Sequence, residues 1–189
     1  MTPAPQLRLI NFDAPGRAEI TRLLLTIGDI PFVDERIARA DFPALKPTLP
    51  LGQLPTLQVD GSGTTYSQGM VIARYAAKTS GLFPQDPLDA LRADMVSDTV
   101  VDLVNAFSVV MFVQMDEATK AEKTKMYVHE TGDLFLGDAM SYADVHVFDF
   151  VHNGLKTFFA DFSTAAFPKL EALMASVEAN ADVAAYLAK

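Results

Sequence analysis

The chain contains no cysteine. Disulfides, thiolate metal sites and a cysteine nucleophile are therefore excluded, and redox chemistry says nothing about its compartment. Positive charge is also scarce. Fifteen Lys and Arg face 24 Asp and Glu, giving a net charge of −9 and a pI near 4.7. The field of such a chain repels nucleic acid and anionic membranes, so neither is an expected partner. A small anionic ligand is still allowed, because a local basic patch suffices for it. No apolar run approaches a membrane span, and the N-terminus lacks the apolar stretch of a signal peptide. Cytoplasmic residence is the resulting expectation. His129, His146 and His152 share no metal-ligand spacing, and no metal is expected. Internal repeats and low-complexity segments are absent. What remains is an ordinary globular composition of 189 residues, 50% hydrophobic and 21% charged. That is ample for a core in one or two domains.

The apolar pattern divides the chain. Residues 7–12 suit a strand. Ile20, Leu23, Leu24 and Ile27 recur at helical spacing, and Gly28 stops that helix. Pro31 to Ile37 suits a second strand, and a β-α-β unit of this kind implies a parallel pair with a right-handed crossover. Leu57 and Val59 alternate with polar neighbours in a short third strand, a turn follows at Asp60-Gly61, and a fourth strand leads to a helix from Gln68 to Lys78. The segment 81–87, Gly-Leu-Phe-Pro-Gln-Asp-Pro, is a linker by its glycine and prolines. Beyond it strand signals vanish. Helices are expected over Leu88–Met115, Glu117–Phe135 and a stretch carrying Leu170, Leu173, Met174 and Val177, with a short one at the end of the chain. The expected class is α/β plus all-α: an α/β domain over 1–80, a linker over 81–87, and an all-helical domain over 88–189.

The most informative stretch is Gly52 to Tyr75. Pro55 cannot sit inside a central strand and belongs at a strand's first residue. If the Leu54-Pro55 bond is cis, the backbone of Leu54 faces outward and can pair with an extended peptide. Ser67-Gln68-Gly69 opens a helix whose free N–H groups suit a carboxylate. A strand-like edge beside a carboxylate site describes a pocket for a small acidic peptide.

These residues resemble the glutathione-binding half of the cytosolic glutathione transferases. The likeness extends to Phe12-Asp13-Ala14-Pro15-Gly16-Arg17-Ala18-Glu19 after the first strand, and to Ser141-Tyr142-Ala143-Asp144 and Phe167-Pro168-Lys169-Leu170 at two later helix starts. Arg17-Ala18-Glu19-Ile20 and Asp41-Phe42-Pro43 with Lys46 are closest in pattern to the sigma class, which includes glutathione-dependent prostaglandin D synthases. The resemblance implies a thioredoxin-like first domain, a helical-bundle second domain, a homodimer, and glutathione as co-substrate in a detoxifying transferase. It implies that Gln68 holds the γ-glutamyl group, that the Leu54 backbone beside Pro55 pairs with the cysteinyl residue, and that Gln53 and Lys46 reach the glycyl carboxylate. Phe42 stands where sigma members often have tryptophan. Asp102 matches an acidic residue presented to the ligand's amino group across the dimer. The apolar second substrate would lie between the domains, against Phe12 and the long helix at Val104, Phe107, Ser108, Met111 and Phe112. The same apolar spacing also fits plain core.

Three positions depart from the family pattern. The tyrosine that donates to the thiolate is replaced by Asn11, and no tyrosine precedes Tyr66 nor any serine Ser62. Asparagine can donate through its amide, which makes Asn11 the candidate catalytic residue; it could equally tighten the turn after the strand. Pro15 replaces a common arginine. Gly69 replaces the serine whose hydroxyl and N–H hold the γ-glutamyl carboxylate, which predicts weaker glutathione binding. Arg17 is expected to pair with an acid such as Glu19 or Asp94, Arg74 to be structural at a dimer contact, and Ser141 with Asp144 to form a capping box. Asp98 and Asp102 are ambiguous between a solvated face and a functional one. The leading expectation is a transferase that conjugates the glutathione thiolate to apolar electrophiles or reduces peroxides. The alternative is a weak or silent member that carries glutathione or a hydrophobic ligand, or serves as a structural protein.

Overall fold

A computed structural model describes residues 6–59, 63–112, 140–159 and 161–188, with side chains of 109–112 outside the description. The expected turn at Asp60-Gly61, the expected helix Glu117–Phe135 and His129 lie outside the described residues. Two compact units emerge: residues 1–83 together with 178–189, and residues 84–177.

The first unit is built on a four-stranded sheet of order β2-β1-β3-β4. Strand β1 (Leu7–Phe12) runs parallel to β2 (Phe32–Ile37) and antiparallel to β3 (Thr56–Val59), which pairs antiparallel with β4 (Thr65–Ser67). Pro31 stays outside β2 although its apolar neighbours continue the strand pattern; it has no N–H to give a ladder. Helix α1 (Glu19–Ile27) makes the crossover between β1 and β2. A short α2 (Phe42–Leu45) follows β2, and α3 (Gly69–Thr79) follows β4. The core is Leu7, Leu9, Leu23, Leu24, Leu57, Ile72, Ala73, Ala76 and Ala77, all nearly or fully buried. Gly28 ends α1 for a reason the pattern did not reveal. A Cβ there would lie 2.3 Å from Cβ of Ser80, so glycine lets the chain pass the end of α3; the left-handed backbone falls to Asp29, with φ of 51°.

The second unit is helical among its described residues. Helix α4 (Pro87–Phe112) is opened by Asp86, whose Oδ1 accepts from the N–H groups of Leu88 and Asp89, with proline in the first turn. It buries Ala93, Val96, Val100 and Leu103 at three- and four-residue spacing. Helix α5 (Tyr142–Asp149) begins at the expected capping box: Asp144 Oδ2 accepts from the Ser141 N–H and hydroxyl, each at 2.7 Å. Tyr142 donates to Asp94, and Ser97 Oγ lies 2.7 Å from His146 Nδ1, so polar contacts fix α5 on α4. The helix runs on through a π-helical stretch (Phe150–Leu155). Helix α6 (Pro168–Glu178) buries Leu173, Met174 and Val177.

Helix α7 (Ala181–Leu187) belongs with the first unit, although it is last in the chain. Asn180 caps it through hydrogen bonds from the N–H groups of Asp182 and Val183, and it packs against α1.

Candidate functional site

Strand β1 ends in Asn11 and Phe12, and the loop after it leads into α1. Asn11 is only 4% exposed. Among the described residues its side chain makes no hydrogen bond. Gly16 follows, with φ of 51°, and a Cβ on it would stand 3.9 Å from Asn11 Nδ2. The amide therefore borders Gly16, where a Cβ would stand in ordinary van der Waals contact with it.

The Leu54-Pro55 peptide bond is cis, the condition set by the sequence reading. Helix α3 begins with no side-chain acceptor from its N-cap residue for the first-turn N–H groups. Its N-cap, Gln68, is exposed and holds φ of 78° and ψ of 106°, a left-handed backbone that a residue with a Cβ rarely adopts. Next to it, a Cβ on Gly69 would lie 3.2 Å from the Arg17 carbonyl oxygen and 3.6 Å from Pro55 Cγ. One point thus joins the loop after β1, the cis-proline and the start of α3, which are far apart in sequence.

The segment after β2 supplies the remaining wall. Phe42 meets Phe12 edge to face with centroids 5.0 Å apart, and the Arg39 guanidinium lies 5.4 Å above the Phe12 ring. The stem of Lys46 runs over Gly52, 3.4 Å from where its Cβ would be, beside Gln53 and Leu54. Among the described residues neither Arg39 nor Lys46 has an acidic partner, whereas Arg8, Arg22, Arg36 and Arg92 all do. In a chain of net charge −9, cations without an acidic partner among the described residues are the kind of groups an anionic ligand can use. These residues fit an acidic peptide: a carboxylate at the α3 N-terminus, cations at Lys46 and Arg39, and an amide donor at Asn11.

Within the first unit Gly16 borders Asn11, Gly69 borders Arg17 and Pro55, Phe12 meets Phe42, and Lys46 borders Gly52; Gln53, Leu54 and Gln68 lie next to these in the chain. In the second unit Asp98 and Asp102 are exposed on α4. Val104, Phe107 and Ser108 lie on the same helix, half-buried, and Ser108 donates to the Val104 carbonyl. Phe107 packs edge-on against Phe150, Phe158 and Phe159, with centroids 5.5 to 6.2 Å apart, so it is part of an aromatic cluster. Met111 and Phe112 end the helix, and their side chains lie outside the described residues. No group of three His, Asp or Glu is arranged for a metal among the described residues, and none of their helices is long and apolar enough to cross a membrane.

Glu19 accepts from Arg22 and from the Tyr186 hydroxyl. Arg22, Arg39 and Tyr186 are the residues that sequence reasoning missed. The Glu19–Arg22 spacing of three was a visible signal of an ion pair on α1. Nothing pointed to Tyr186, 167 residues away.

The family model "Glutathione S-transferase, C-terminal domain" matches residues 122–189. The hematopoietic prostaglandin D synthase of Gallus gallus is 33% identical over 201 residues, covering 98% of this chain and 96% of that protein. A glutathione S-transferase of Anopheles gambiae is also 33% identical, over 98% of this chain and 97% of that protein. Among solved structures, prostaglandin synthase D of Nilaparvata lugens superposes with a TM-score of 0.83 at 28% identity, covering 97% of this chain and 98% of that one.

Proposed function

The chain belongs to the glutathione S-transferase family, and from that premise we propose that it binds glutathione in its first unit and directs the thiolate at small apolar electrophiles or peroxides. Glutathione supplies the nucleophilic sulfur. The protein's task is to hold it, orient it and favour the deprotonated thiol. The observation that carries this reading is the convergence at Gly69 of the Arg17 carbonyl and Pro55. There the uncapped α3 N-terminus suits the γ-glutamyl carboxylate, with Gln68 beside it. The Leu54 backbone takes the cysteinyl residue as an added strand would. Gln53 and Lys46 take the glycyl carboxylate, Lys46 as a point charge, and Phe42 packs against it.

Asn11 is the nearest side-chain donor to the thiolate. Its amide is a neutral donor with no proton to lose, so it activates the thiol less than a tyrosine hydroxyl would. The apolar side chains of α4 near Phe107 hold the second substrate. In this reading the protein is a cytoplasmic homodimer, and Asp102 serves the ligand bound to the other subunit. Exposed Val71 and Tyr75 on α3, and exposed Leu88, Leu91 and Met95 on α4, support association because each helix carries an apolar outer stripe.

The test is glutathione-dependent turnover against several electrophile and peroxide classes, in the native protein and in Asn11→Tyr. Turnover that rises strongly in Asn11→Tyr is the expected result; no turnover with any class in either protein would sink the reading. The departures at Asn11, Pro15 and Gly69 favour a second reading, a carrier of glutathione or of a hydrophobic ligand. Glutathione binding without turnover, unimproved by Asn11→Tyr, would select it.

A further inference from the structure

Arg22 is a charged side chain with no exposed surface, and such burial is costly unless the charge is paired and its donors are used. Its Nε donates to Asp34 Oδ1 at 3.0 Å, and its Nη1 donates to Glu19 Oε2 at 2.8 Å. Two carboxylates would be enough to neutralise it. Nη1 also reaches two backbone carbonyls, those of Ala14 at 3.0 Å and Pro15 at 3.1 Å, while Nη2 is left sealed without a partner. The guanidinium is thus placed for the loop, at the expense of one of its own donors.

That loop is the one that follows Asn11. It is tied at its start by the Asp13 N–H to the Ile37 carbonyl and by Arg36 to the Asp13 carboxylate. Arg22 holds its middle, and Gly16, the next residue, borders the Asn11 amide. On the far side, the second oxygen of Glu19 accepts from the Tyr186 hydroxyl at 2.9 Å. A continuous line of hydrogen bonds therefore runs from α7 through Tyr186 and Glu19 to Arg22, and on to the carbonyls beside Gly16.

We propose that Arg22 and Tyr186 are positioning residues of the thiol site: the C-terminal helix, acting through Glu19, fixes the loop that sets the space around Asn11. The proposal rests on the glutathione transferase reading and extends it to residues that touch no substrate. Asp34 and Arg36 face the same network, since Asp34 Oδ2 accepts from Arg36 Nε at 2.9 Å. Burial, then the Glu19 charge, pushes the Tyr186 phenol above its usual range, so the hydroxyl remains a donor at any physiological pH.

The test is Tyr186→Phe, which keeps the ring and removes only the hydroxyl, with Arg22→Lys as a second variant that keeps the charge and loses the fork. Amide hydrogen exchange of Asp13 and Ala14, whose N–H groups are bonded in the loop, is followed beside that of Leu9 in β1. The expected result is loop exchange faster by about five-fold or more at an unchanged Leu9. The bound glutathione thiol should titrate at higher pH, and kcat should fall more than KM for glutathione rises. Unchanged loop exchange in Tyr186→Phe overturns the proposal even if Arg22→Lys fails to fold. Faster exchange with an unmoved thiol titration and unchanged kcat also overturns it, leaving a purely structural tether. If the native protein binds no glutathione, the functional reading falls and the positioning role falls with it, while the exchange result still shows whether the tether exists.

Discussion

Replacing Arg22 with methionine removes the cation and keeps an apolar side chain of similar length. Glu19, 6% exposed at its side chain, then faces the interior with only the Tyr186 hydroxyl, and Asp34, 24% exposed, retains Arg36. Removing one partner of a buried ion pair costs about 3–5 kcal/mol, because the other charge is left uncompensated. The surviving partners of both carboxylates place this case at the lower end, near 3 kcal/mol. For a chain of this size that is a fall in Tm of roughly 6–12 °C. Urea and thermal unfolding of the native protein, Arg22→Met, Glu19→Gln and the double variant measure it. The double variant should be more stable than Arg22→Met alone, since the uncompensated carboxylate is gone while the amide oxygen that replaces it can still accept from Tyr186. A loss below about 1 kcal/mol would refute the argument, as would additive losses in the double variant.

Gly69→Ser should tighten glutathione binding. A hydrogen bond to a carboxylate contributes about 1.5–3 kcal/mol. The 3.2 Å approach of the new Cβ to the Arg17 carbonyl offsets part of that, and a gain of roughly five-fold by calorimetry is expected; weaker binding would mean the loop cannot yield. Ser141→Ala should cost about 1 kcal/mol of stability by loss of the capping box, read by denaturant midpoint. The raised Tyr186 phenol has a signature in alkali. Its stabilising contribution is complete below the ordinary tyrosine pKa, about 10, and is lost as pH rises beyond it, because the unfolded chain ionises first. Tyr186→Phe should therefore flatten the alkaline decline of stability; an unchanged decline would contradict the assignment.

Much of the first unit was legible because its signals are local. Alternation marked β3, and apolar spacing marked α1. Gly28 illustrates the limit: the sequence announced a stop, but the physical demand is clearance for Ser80, a contact across 52 residues of chain. The site residues were placed through resemblance, not through any local signal of their own. Two features had no signal of their own. The left-handed backbone of Gln68 is a conformation that a residue with a Cβ rarely adopts, and glutamine does not advertise it. The Arg22 network depends on Tyr186 returning from the last helix, which no periodicity within α1 can foretell. Arg39 was passed over because a surface arginine in a loop is common; what distinguishes it is the Phe12 ring beneath it and the want of an acid beside it among the described residues.

The central claim is that this chain activates a bound thiol although Asn11 stands where a hydroxyl is usual. The measurement that addresses it most directly is an ultraviolet difference titration of bound glutathione against pH, following the thiolate band, in the native protein and in Asn11→Ala. The account predicts a bound thiol that titrates below the free value of about 8.5 for a cysteine, with part of the shift lost in Asn11→Ala. A thiol that binds and titrates at its free value in both proteins would contradict it.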